Sequence, residues 1–356
     1  MQIEEYKPLA ALTTFGIGGA ARWFVQARGE QEIPEAVAWA SERSCPLFIL
    51  GGGSNLLVSD RGFEGLVLQI ALRGVKRSNL SGGGNALCSA VDYSVAAGEE
   101  WDSFVALAVA ENCAGVECLA GIPGTVGGTP VQNVGAYGQE VASTIARVRA
   151  FDRAAGTFVE LAAAECGFAY RHSRFNSTDR DRFIVTRVDY RLTENGVPSL
   201  QYADLKRSFT EGAKPTLTEV AEAVRQIRRT KGMLLVEGES DCRSAGSFFK
   251  NPVVADEVYR EIAAREGQIP PCFRMDAAAD RTEQVKIPAA WLIERAGFTK
   301  GYRRGRAGIS TRHPLALINC GGAQAEEIVA LRDEIAGTVE ARFGVALQME
   351  PVMLGF

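Results

Sequence analysis

Three glycine clusters constrain this chain more than any other feature of its sequence. They are Gly16-Ile17-Gly18-Gly19, Gly51-Gly52-Gly53 and a long run from Gly121 to Gly138. Consecutive glycines let backbone N–H groups converge on an anion because no Cβ obstructs them, and a diphosphate suits such a loop. A tight turn is the alternative for the second cluster. The glycine spacings of the Rossmann fingerprint and of the P-loop are both absent.

The third cluster is the hardest of the three to explain as a solvated loop. It holds six glycines and two prolines, with Val, Ile and Ala between them. Such a segment suits a backbone packed close against a flat ligand, with Gln132 and Asn133 as candidates for hydrogen bonds to ring edges. A further run, Ser81-Gly82-Gly83-Gly84-Asn85, is predicted to be a hairpin turn instead.

Length and charge exclude several classes of protein. A chain of 356 residues predicts about two domains. The net charge of -4 lacks the basic excess that is typical of nucleic-acid binders, and no apolar run reaches membrane-spanning length. The start is acidic and lacks an apolar segment, so no secretory signal is expected. Eight cysteines without a Cys-x-x-Cys pair, together with only two histidines, predict reduced thiols, no metal site and a cytoplasmic location.

Periodicity gives a coarse order of elements. Apolar spacing predicts helices over 31–44, around 101–108, after Thr216 and around 328–339. Thr216 and Glu219 also have the spacing of a capping box. Short apolar runs predict strands at 46–50, 145–151, 157–161 and 183–192. The polar stretch 194–214 suggests a domain boundary, so we divide the chain into 1–205, with subdomains of about 1–70 and 71–205, and 206–356.

The glycine clusters, in this order and spacing, resemble those of the UDP-N-acetylenolpyruvoylglucosamine reductases of bacterial cell-wall synthesis. The resemblance extends to Ala97–Trp101, Tyr170–Ser173, Met349–Pro351 and the specific string Gly246-Ser247-Phe248-Phe249-Lys250-Asn251-Pro252. It covers nearly the whole chain. It implies an α+β fold, with a vanillyl-alcohol-oxidase-type FAD-binding domain of two α/β subdomains followed by a C-terminal α+β substrate domain.

The resemblance also implies the cofactors and the reaction. FAD would be bound non-covalently, and NADPH would deliver a hydride to it. The flavin would then reduce the enolpyruvyl sugar nucleotide to UDP-N-acetylmuramate. The residues implied in FAD binding are Phe15, Gly16, Ile17, Leu50, Gly51, Gly52, Gly53, Ser54, Asn55, Leu56, Ile122, Pro123, Gly124, Gly127, Gly128, Thr129, Gln132, Asn133, Gly135, Ala136 and Tyr137.

Three residues match the catalytic residues of the family. Hydride addition leaves negative charge on the carbon beside a carboxylate, and that charge needs prearranged partners. Arg171 would bind the carboxylate and stabilise the enolate, Glu350 would assist, and Ser247 would protonate the carbon. Each has a structural alternative: Arg171 as one cation of a charged stretch, Ser247 as a turn or cap hydroxyl, and Glu350 as a strand-end side chain held extended by Pro351.

Four residues match substrate-binding positions: Tyr137, Tyr202, Lys231 and Asn251. Tyr202 resembles the mobile-loop tyrosine of the type I subgroup, and its alternative is a linker aromatic docked on the core. Lys231 is equally explained as a cation at a helix C-terminus. The stretch 232–245 is longer and more acidic than the family pattern, and no equivalent of the family's substrate-binding glutamine is found. His172 is expected to be structural or exposed.

Two other functions remain open on the sequence. An oxidase of the same fold would often tether its flavin to a histidine or cysteine, but no histidine precedes Tyr137 and the cysteines lie away from the glycine clusters. A non-catalytic flavin-binding or nucleotide-binding protein would tolerate replacement of the three catalytic candidates. We expect a monomer that binds the UDP-sugar substrate and NADPH but neither nucleic acid nor a membrane.

Overall fold

The computed structural model describes residues 1–79, 89–274 and 284–356. The helices are α1 (Glu32–Glu42), α2 (Trp101–Ala110), α3 (Ala203–Lys206), α4 (Leu217–Thr230), α5 (Asp256–Glu266), α6 (Ala289–Arg295) and α7 (Ala325–Phe343). The strands are β1 (Ile3–Pro8), β2 (Ala20–Ala27), β3 (Leu47–Leu50), β4 (Leu56–Val58), β5 (Phe63–Ile70), β6 (Val75–Asn79), β7 (Ser89–Ala96), β8 (Cys113–Ala114), β9 (Gly135–Ala136), β10 (Gln139–Glu140), β11 (Ile145–Asp152), β12 (Thr157–Ala162), β13 (Phe183–Glu194), β14 (Val253–Ala255), β15 (Phe273–Arg274), β16 (Gln284–Lys286), β17 (Arg303–Arg304), β18 (Ala307–Ile309), β19 (Leu317–Asn319) and β20 (Val352–Leu354). The hairpin turn predicted at 81–85 lies outside the described residues.

The described chain forms two compact units. Unit 1 consists of Met1–Lys7, Ala21–Gly53 and Phe63–Thr230. Unit 2 consists of Pro8–Ala20, Ser54–Gly62 and Lys231–Phe356. The first and second glycine clusters therefore fall at crossings of the chain from one unit to the other.

Two sheets build most of unit 1. The first has the order β1-β2-β5-β3, in which β2, β5 and β3 run parallel. The second has the order β12-β11-β13-β7-β6, with β8 added to β13, and its pairs are antiparallel. The strands of the first sheet all precede residue 71, and those of the second all lie between 71 and 205.

Helix α2 supplies the aromatic centre of unit 1. Trp101 and Phe104 lie one turn apart on its buried face and contact Tyr190 of β13, with ring centroids 5.7 and 5.0 Å away. The indole Nε1 of Trp101 donates to the carbonyl of Leu119 at 3.1 Å. This buried hydrogen bond anchors the chain just before the third glycine cluster, because Leu119 precedes Gly121 by two residues.

Helix α4 belongs to unit 1, although the sequence division assigned it to the C-terminal domain. Its apolar face, which includes Leu217, Val220 and Val224, is buried in the core of unit 1. The compact units thus divide after Thr230, whereas the predicted boundary lies at 205/206. The polar stretch 194–214 is a connection within unit 1, because α4 buries its apolar stripe against the elements that precede it.

Unit 2 has its own core and smaller sheets. Short antiparallel sheets are formed by β14-β16-β15 and by β17-β18-β19, and β20 runs parallel to β4. Helix α7 buries one face, which includes Ile328, Leu331 and Ile335. Phe15 and Phe248 meet in this core with ring centroids 6.4 Å apart. The N-terminal segment 8–20 therefore completes a core whose other members come almost entirely from the C-terminal half.

The secondary structure confirms the sequence predictions for the long elements. The four predicted helices appear as α1, α2, α4 and α7, and the predicted strands appear as β3, β11, β12 and β13. The predicted capping box is present, since the Glu219 amide donates to the Thr216 hydroxyl at 3.2 Å and the Thr216 amide donates to the Glu219 carboxylate at 2.7 Å. Among the described residues, no helix combines the length and apolar character needed to cross a membrane.

Candidate active site

The second and third glycine clusters lie against each other in unit 1. A Cβ placed on Gly51 would be 2.9 Å from the Thr125 hydroxyl, and one placed on Gly52 would be 2.7 Å from the Gly124 Cα. Gly53 has φ +62°, in the left-handed region that favours glycine. Two backbone segments therefore pack at a distance that only glycine allows at these positions.

This arrangement fits a dinucleotide cofactor. Gly52 is exposed and Gly51 is half-buried, so the backbone groups of the loop are accessible on the side away from Gly124. Side-chain-free backbone of this kind lets N–H groups approach phosphate oxygens. The half-buried Ile122 and Pro123 add apolar surface in the adjoining part of the third cluster. The residues present thus suit both the phosphates and the flat ring of FAD.

Two predicted cofactor contacts, Asn133 and Thr129, have side chains that form hydrogen bonds within the protein. The Asn133 amide nitrogen donates to the Glu140 carboxylate at 2.8 Å and to the Ala169 carbonyl at 3.1 Å, so both of its hydrogens are used inside the protein. The Thr129 hydroxyl is buried and lies 2.6 Å from the Tyr190 hydroxyl. Both side chains are therefore engaged in hydrogen bonds inside the protein, and their contact with the cofactor stays a prediction.

Burial divides the other cofactor candidates. Gly16 and Gly128 are exposed, and several more candidates are half-buried. The apolar side chains Phe15, Ile17, Leu50 and Leu56 are at most 5% exposed, so they shape the loops from within the cores. The half-buried candidates not yet placed are Ser54, Asn55, Gly124, Gly127, Gln132, Gly135, Ala136 and Tyr137.

Arg171 lies at the tip of a tight turn fixed to the third glycine cluster. Ala169 and His172 close the turn with backbone hydrogen bonds of 3.0 and 3.1 Å. The Arg171 Nη2 donates to the Gly135 carbonyl at 2.9 Å, and the Ser173 hydroxyl donates to the Val131 carbonyl at 2.5 Å. The structure therefore places the predicted catalytic arginine directly beside residues 131–135. His172 is exposed, as predicted.

Three predicted site residues other than glycine have left-handed backbone conformations, and one of them is Asn133, with φ +45°. Arg171 has φ +52° and Tyr137 has φ +49°. A non-glycine residue in this region costs of order 1 kcal/mol and persists where the surrounding contacts fix it. The hydrogen bonds around the Arg171 turn supply that constraint. Strain of this kind concentrates at functional sites, which agrees with the roles predicted for these residues.

Tyr137 and Tyr202 come together in unit 1. Their ring centroids are 5.4 Å apart and the rings are perpendicular. Tyr202 directly precedes helix α3 and is 40% exposed, and Tyr137 is half-buried. A Cβ on Gly138 would be 3.3 Å from the Gln201 side chain, and this approach places the Tyr202 loop against the end of the third cluster.

Ser247 and Glu350 are neighbours in unit 2. Phe249 and Met349 form an antiparallel bridge, and the Glu350 amide donates to the Phe248 carbonyl at 2.8 Å. Within the described residues, the half-buried Ser247 hydroxyl makes no hydrogen bond. The Ser247 hydroxyl, which lies on the segment that adjoins Glu350, can therefore hydrogen-bond to a ligand. This arrangement suits a proton donor.

Unit 2 also holds Asn55, which follows the second glycine cluster by two residues, beside Glu350. The Asn55 side-chain amide donates to the Glu350 carbonyl at 3.2 Å, and the Val352 amide donates to the Asn55 carbonyl at 2.9 Å. The Thr14 hydroxyl lies 3.3 Å from the Ser54 carbonyl and 2.6 Å from the Ser244 carbonyl. Thr14, which the sequence analysis did not select, thus ties Ser54 to the segment that carries Ser247.

The two remaining substrate-binding candidates are Lys231 and Asn251. Lys231 is the first residue after α4. This position agrees with the alternative that Lys231 is a cation at a helix C-terminus. The Asn251 side-chain oxygen accepts from the Ala289 amide at 2.9 Å, at the start of α6. Asn251 therefore has a structural role at a helix N-terminus, and its amide nitrogen is the part that remains for a ligand.

Ion pairs explain the acidic stretch 232–245. Glu239 and Asp241 pair with Arg312 at 2.7 and 3.3 Å. Asp241 also accepts from the Ser310 hydroxyl and the Thr311 amide, both at 2.9 Å. The acidic residues that depart from the family pattern therefore anchor the segment before Ser247 to the loop after β18. Among the described residues, no cluster of His, Cys, Asp and Glu can hold a metal.

Comparison with known proteins identifies the family. The model of a UDP-N-acetylenolpyruvoylglucosamine reductase C-terminal domain matches residues 238–354, and that of an FAD-binding domain matches residues 21–162. The UDP-N-acetylenolpyruvoylglucosamine reductase of Thermobifida fusca is 44% identical, covering 98% of this chain and 97% of the relative. This chain belongs to the UDP-N-acetylenolpyruvoylglucosamine reductase family. The reductase of Ralstonia nicotianae is 37% identical, covering 99% of each chain.

A solved structure agrees with this family over the full length. The crystal structure of the reductase from Thermus caldophilus matches with a TM-score of 0.63 and 25% identity, covering 99% of this chain and 98% of that chain. The predicted α+β fold with an FAD-binding domain is thereby confirmed. The chain is a flavin-dependent oxidoreductase of the family, and FAD is its cofactor.

The contact between the glycine clusters gives a first prediction. Replacing Gly52 with alanine forces its Cβ against the Gly124 backbone, which must move. Overpacking of this kind costs about 1–3 kcal/mol, so we expect FAD affinity to fall about 10-fold to 100-fold. Titration of the apoprotein with FAD, followed by flavin fluorescence, measures the change. In the control Gly337→Ala, on helix α7, the added Cβ meets nothing within 4 Å. Unchanged FAD affinity in Gly52→Ala would contradict a role for the contact between Gly52 and Gly124 in FAD binding.

Proposed function

We propose that this chain catalyses the NADPH-dependent reduction of UDP-N-acetylglucosamine enolpyruvate to UDP-N-acetylmuramate, a step in peptidoglycan precursor synthesis. The geometric observation that carries the proposal is the pairing of the Ser247 segment with the Glu350 segment, where Asn55 also contacts Glu350. Family membership over nearly the whole chain supports the same reaction. The cytoplasmic location and the monomeric state stay predictions.

The proposed roles follow from what the reaction requires. Bound FAD would supply two-electron chemistry, as the acceptor of a hydride from NADPH and the donor of a hydride to the terminal carbon of the enolpyruvyl group. The electron pair of the double bond then lies on the carbon beside the carboxylate, as an enolate. Ser247 donates a proton to that carbon, which completes the reduction. A serine hydroxyl is a weak acid, but an enolate carbon is a strong enough base to accept its proton.

Arg171 and Glu350 complete the proposed catalytic set. The Arg171 guanidinium would bind the substrate carboxylate and stabilise the charge that develops on it, because its planar fork matches two carboxylate oxygens. Glu350 would assist protonation by returning a proton to Ser247. Gly51–Asn55 would bind the FAD diphosphate, and the half-buried part of residues 122–137 would lie along the isoalloxazine.

Substrate binding is assigned to the tyrosine pair and to two polar residues. Tyr137 would contact substrate and flavin, and Tyr202 would close over the nucleotide. The perpendicular contact between the two rings supports their acting together. Lys231 would bind the substrate diphosphate, and the Asn251 amide nitrogen would donate to the substrate.

Visible absorption spectroscopy tests the proposed function. The purified protein should show flavin bands that bleach with NADPH under anaerobic conditions and return only after addition of the enolpyruvyl sugar nucleotide. Return of the bands with oxygen and a sugar or alcohol as reductant would indicate an oxidase instead. A flavin that NADPH does not bleach would indicate a binding protein, and either result would overturn the proposal.

Arg171 gives a prediction that separates charge from backbone strain. Arg171→Ala should lower kcat/KM about 100-fold to 1000-fold, because a charge-stabilising donor is lost. Arg171→Gly relieves the left-handed conformation and should fold at least as stably as Arg171→Ala, yet be equally inactive. Steady-state kinetics and thermal unfolding measure both effects.

The control for this series is Arg174→Ala. Arg174 lies in the same charged stretch but pairs with Asp179 at 2.8 Å. It should affect stability rather than turnover. If Arg174→Ala lost as much activity as Arg171→Ala, the charged stretch as a whole would be responsible and the assignment to Arg171 would be wrong.

A further inference from the structure

The first residue of the third glycine cluster is held at both of its peptide groups by charged side chains. The Gly121 amide donates to the Asp102 carboxylate at 2.6 Å, and the Gly121 carbonyl accepts from the Arg228 Nε at 3.1 Å. Gly121 is buried and has φ +73°. Asp102 lies in the first turn of α2 and Arg228 in the last turn of α4. Side chains of two helices therefore hydrogen-bond to the same residue of the loop.

A second arginine completes this arrangement. Both Asp102 oxygens accept from the Arg225 guanidinium, with an Nη2–Oδ1 distance of 2.7 Å. Arg225 and Arg228 are three residues apart and share one side of α4. We call Asp102, Arg225 and Arg228 the Gly121 clamp. One carboxylate thus serves two helices and one loop amide, and its hydrogen bonds are charge-assisted.

The Gly121 clamp also reaches the far end of the glycine cluster. The Arg228 side chain hydrogen-bonds to Tyr137, the last candidate cofactor residue of the cluster. Burial lowers the pKa of Arg228, and the nearby Tyr137 and Asp102 oppose that shift. One guanidinium therefore connects Gly121 to Tyr137, and Tyr137 in turn contacts Tyr202 at 5.4 Å between ring centroids.

We infer that Asp102 is a positioning residue that, through Gly121, Arg225 and Arg228, holds the third glycine cluster and Tyr137 in the geometry required for FAD and substrate. This inference rests on the proposed function for its kinetic part only. The Asp102 and Arg225 side chains are 35% and 32% exposed, and ion pairs this accessible contribute little to global stability. The contribution of Asp102 is instead local, because it bonds the buried backbone of the loop.

A matched pair of aspartates tests the inference. Asp102→Ala removes the carboxylate of the Gly121 clamp. The control Asp92→Ala removes an aspartate on the antiparallel sheet of unit 1, where its carboxylate accepts two hydrogen bonds from Arg191, of 2.8 and 3.0 Å. Asp102→Asn keeps an oxygen that can accept the Gly121 amide but lacks the charge. If Asp102→Ala fails to fold, Asp102→Asn is compared with Asp92→Ala instead. All three are compared with the wild type in the full-length protein.

Two readouts do not depend on turnover. Hydrogen exchange of the peptide that contains Gly121 should accelerate at least about tenfold in Asp102→Ala and remain at the wild-type rate in Asp92→Ala. FAD affinity of the apoprotein, measured by flavin fluorescence, should fall in Asp102→Ala and remain at the wild-type value in Asp92→Ala. Asp102→Asn should lie between wild type and Asp102→Ala in both measurements. Wild-type exchange and wild-type FAD affinity in both Asp102 variants would overturn the inference.

The kinetic readout tests the link to Tyr137. Misplacement by about 1 Å can cost on the order of 100-fold in rate, so Asp102→Ala should lose about that factor in kcat of the substrate half-reaction. An equal loss of kcat in Asp92→Ala would mean that general destabilisation causes the effect, and it would overturn the inference. An inactive wild type would refute the proposed function alone, because exchange and FAD binding still report on the Gly121 clamp.

Discussion

Replacing Ser247 with alanine should abolish reoxidation of the reduced flavin by substrate while leaving its reduction by NADPH intact. Loss of a positioned proton donor costs 10²–10⁴-fold, and we expect the upper end, about 10⁴-fold. The Ser247 hydroxyl makes no hydrogen bond among the described residues, so its removal disturbs no internal contact there. Stopped-flow absorbance of the two half-reactions, measured separately, checks the result.

Two neighbouring substitutions control for changes in the loop. Ser247→Thr keeps a hydroxyl and should retain part of the activity. Ser244→Ala removes a hydroxyl that accepts from the Gly246 amide at 3.2 Å on the same segment, and it should affect stability more than the second half-reaction. A loss in Ser244→Ala as large as that in Ser247→Ala, or normal reoxidation in Ser247→Ala, would refute the role of Ser247 as proton donor.

Replacing Glu350 with glutamine should give a second large loss in the same half-reaction, about 10³–10⁴-fold. The Glu350 backbone is fixed by the Phe248 carbonyl and by the Asn55 amide, and neither contact uses its carboxylate. The substitution should therefore remove the ionisable carboxyl group without moving this segment of the backbone. The control is Gln348→Ala, an exposed side chain on the same segment.

A double-mutant cycle shows whether Glu350 acts through Ser247. If Glu350 returns the proton to Ser247, the loss in the double variant Ser247→Ala/Glu350→Gln should be close to that of Ser247→Ala alone, because residues that act as one unit are not additive. Strictly additive losses would mean that the two side chains act independently. Retention of full activity in Glu350→Gln would remove Glu350 from the mechanism.

Local signals made the long elements predictable. The pairing of Thr216 with Glu219 marked the start of α4 because it satisfies amides that the helix itself leaves free. Period-2 runs marked β11 and β13 because alternate side chains face the core. The third glycine cluster predicted a backbone packed against a flat ligand, which stays a prediction; the structure shows Gly124 and Thr125 of this cluster packed against Gly51 and Gly52.

Which unit an element joins was not predictable in the same way. Helix α4 follows a polar stretch that resembles a domain linker, yet its apolar face lies in the core of unit 1. The segment 8–20 lies at the N-terminus but packs in the core of unit 2, where Phe15 meets Phe248. Periodicity reports that a face is apolar and does not report which other face covers it.

The sequence by itself determined the type of backbone at the glycine clusters and, through the resemblance, the identity of the candidate residues Arg171, Ser247 and Glu350. Only the tertiary structure decided which polar side chains remain for a ligand. It showed Asn133 bonded internally and brought Asp102 to Arg225 across 123 positions of sequence. The physical reason is that a hydrogen bond forms between atoms adjacent in space, and sequence spacing predicts that adjacency only within one helix or one turn.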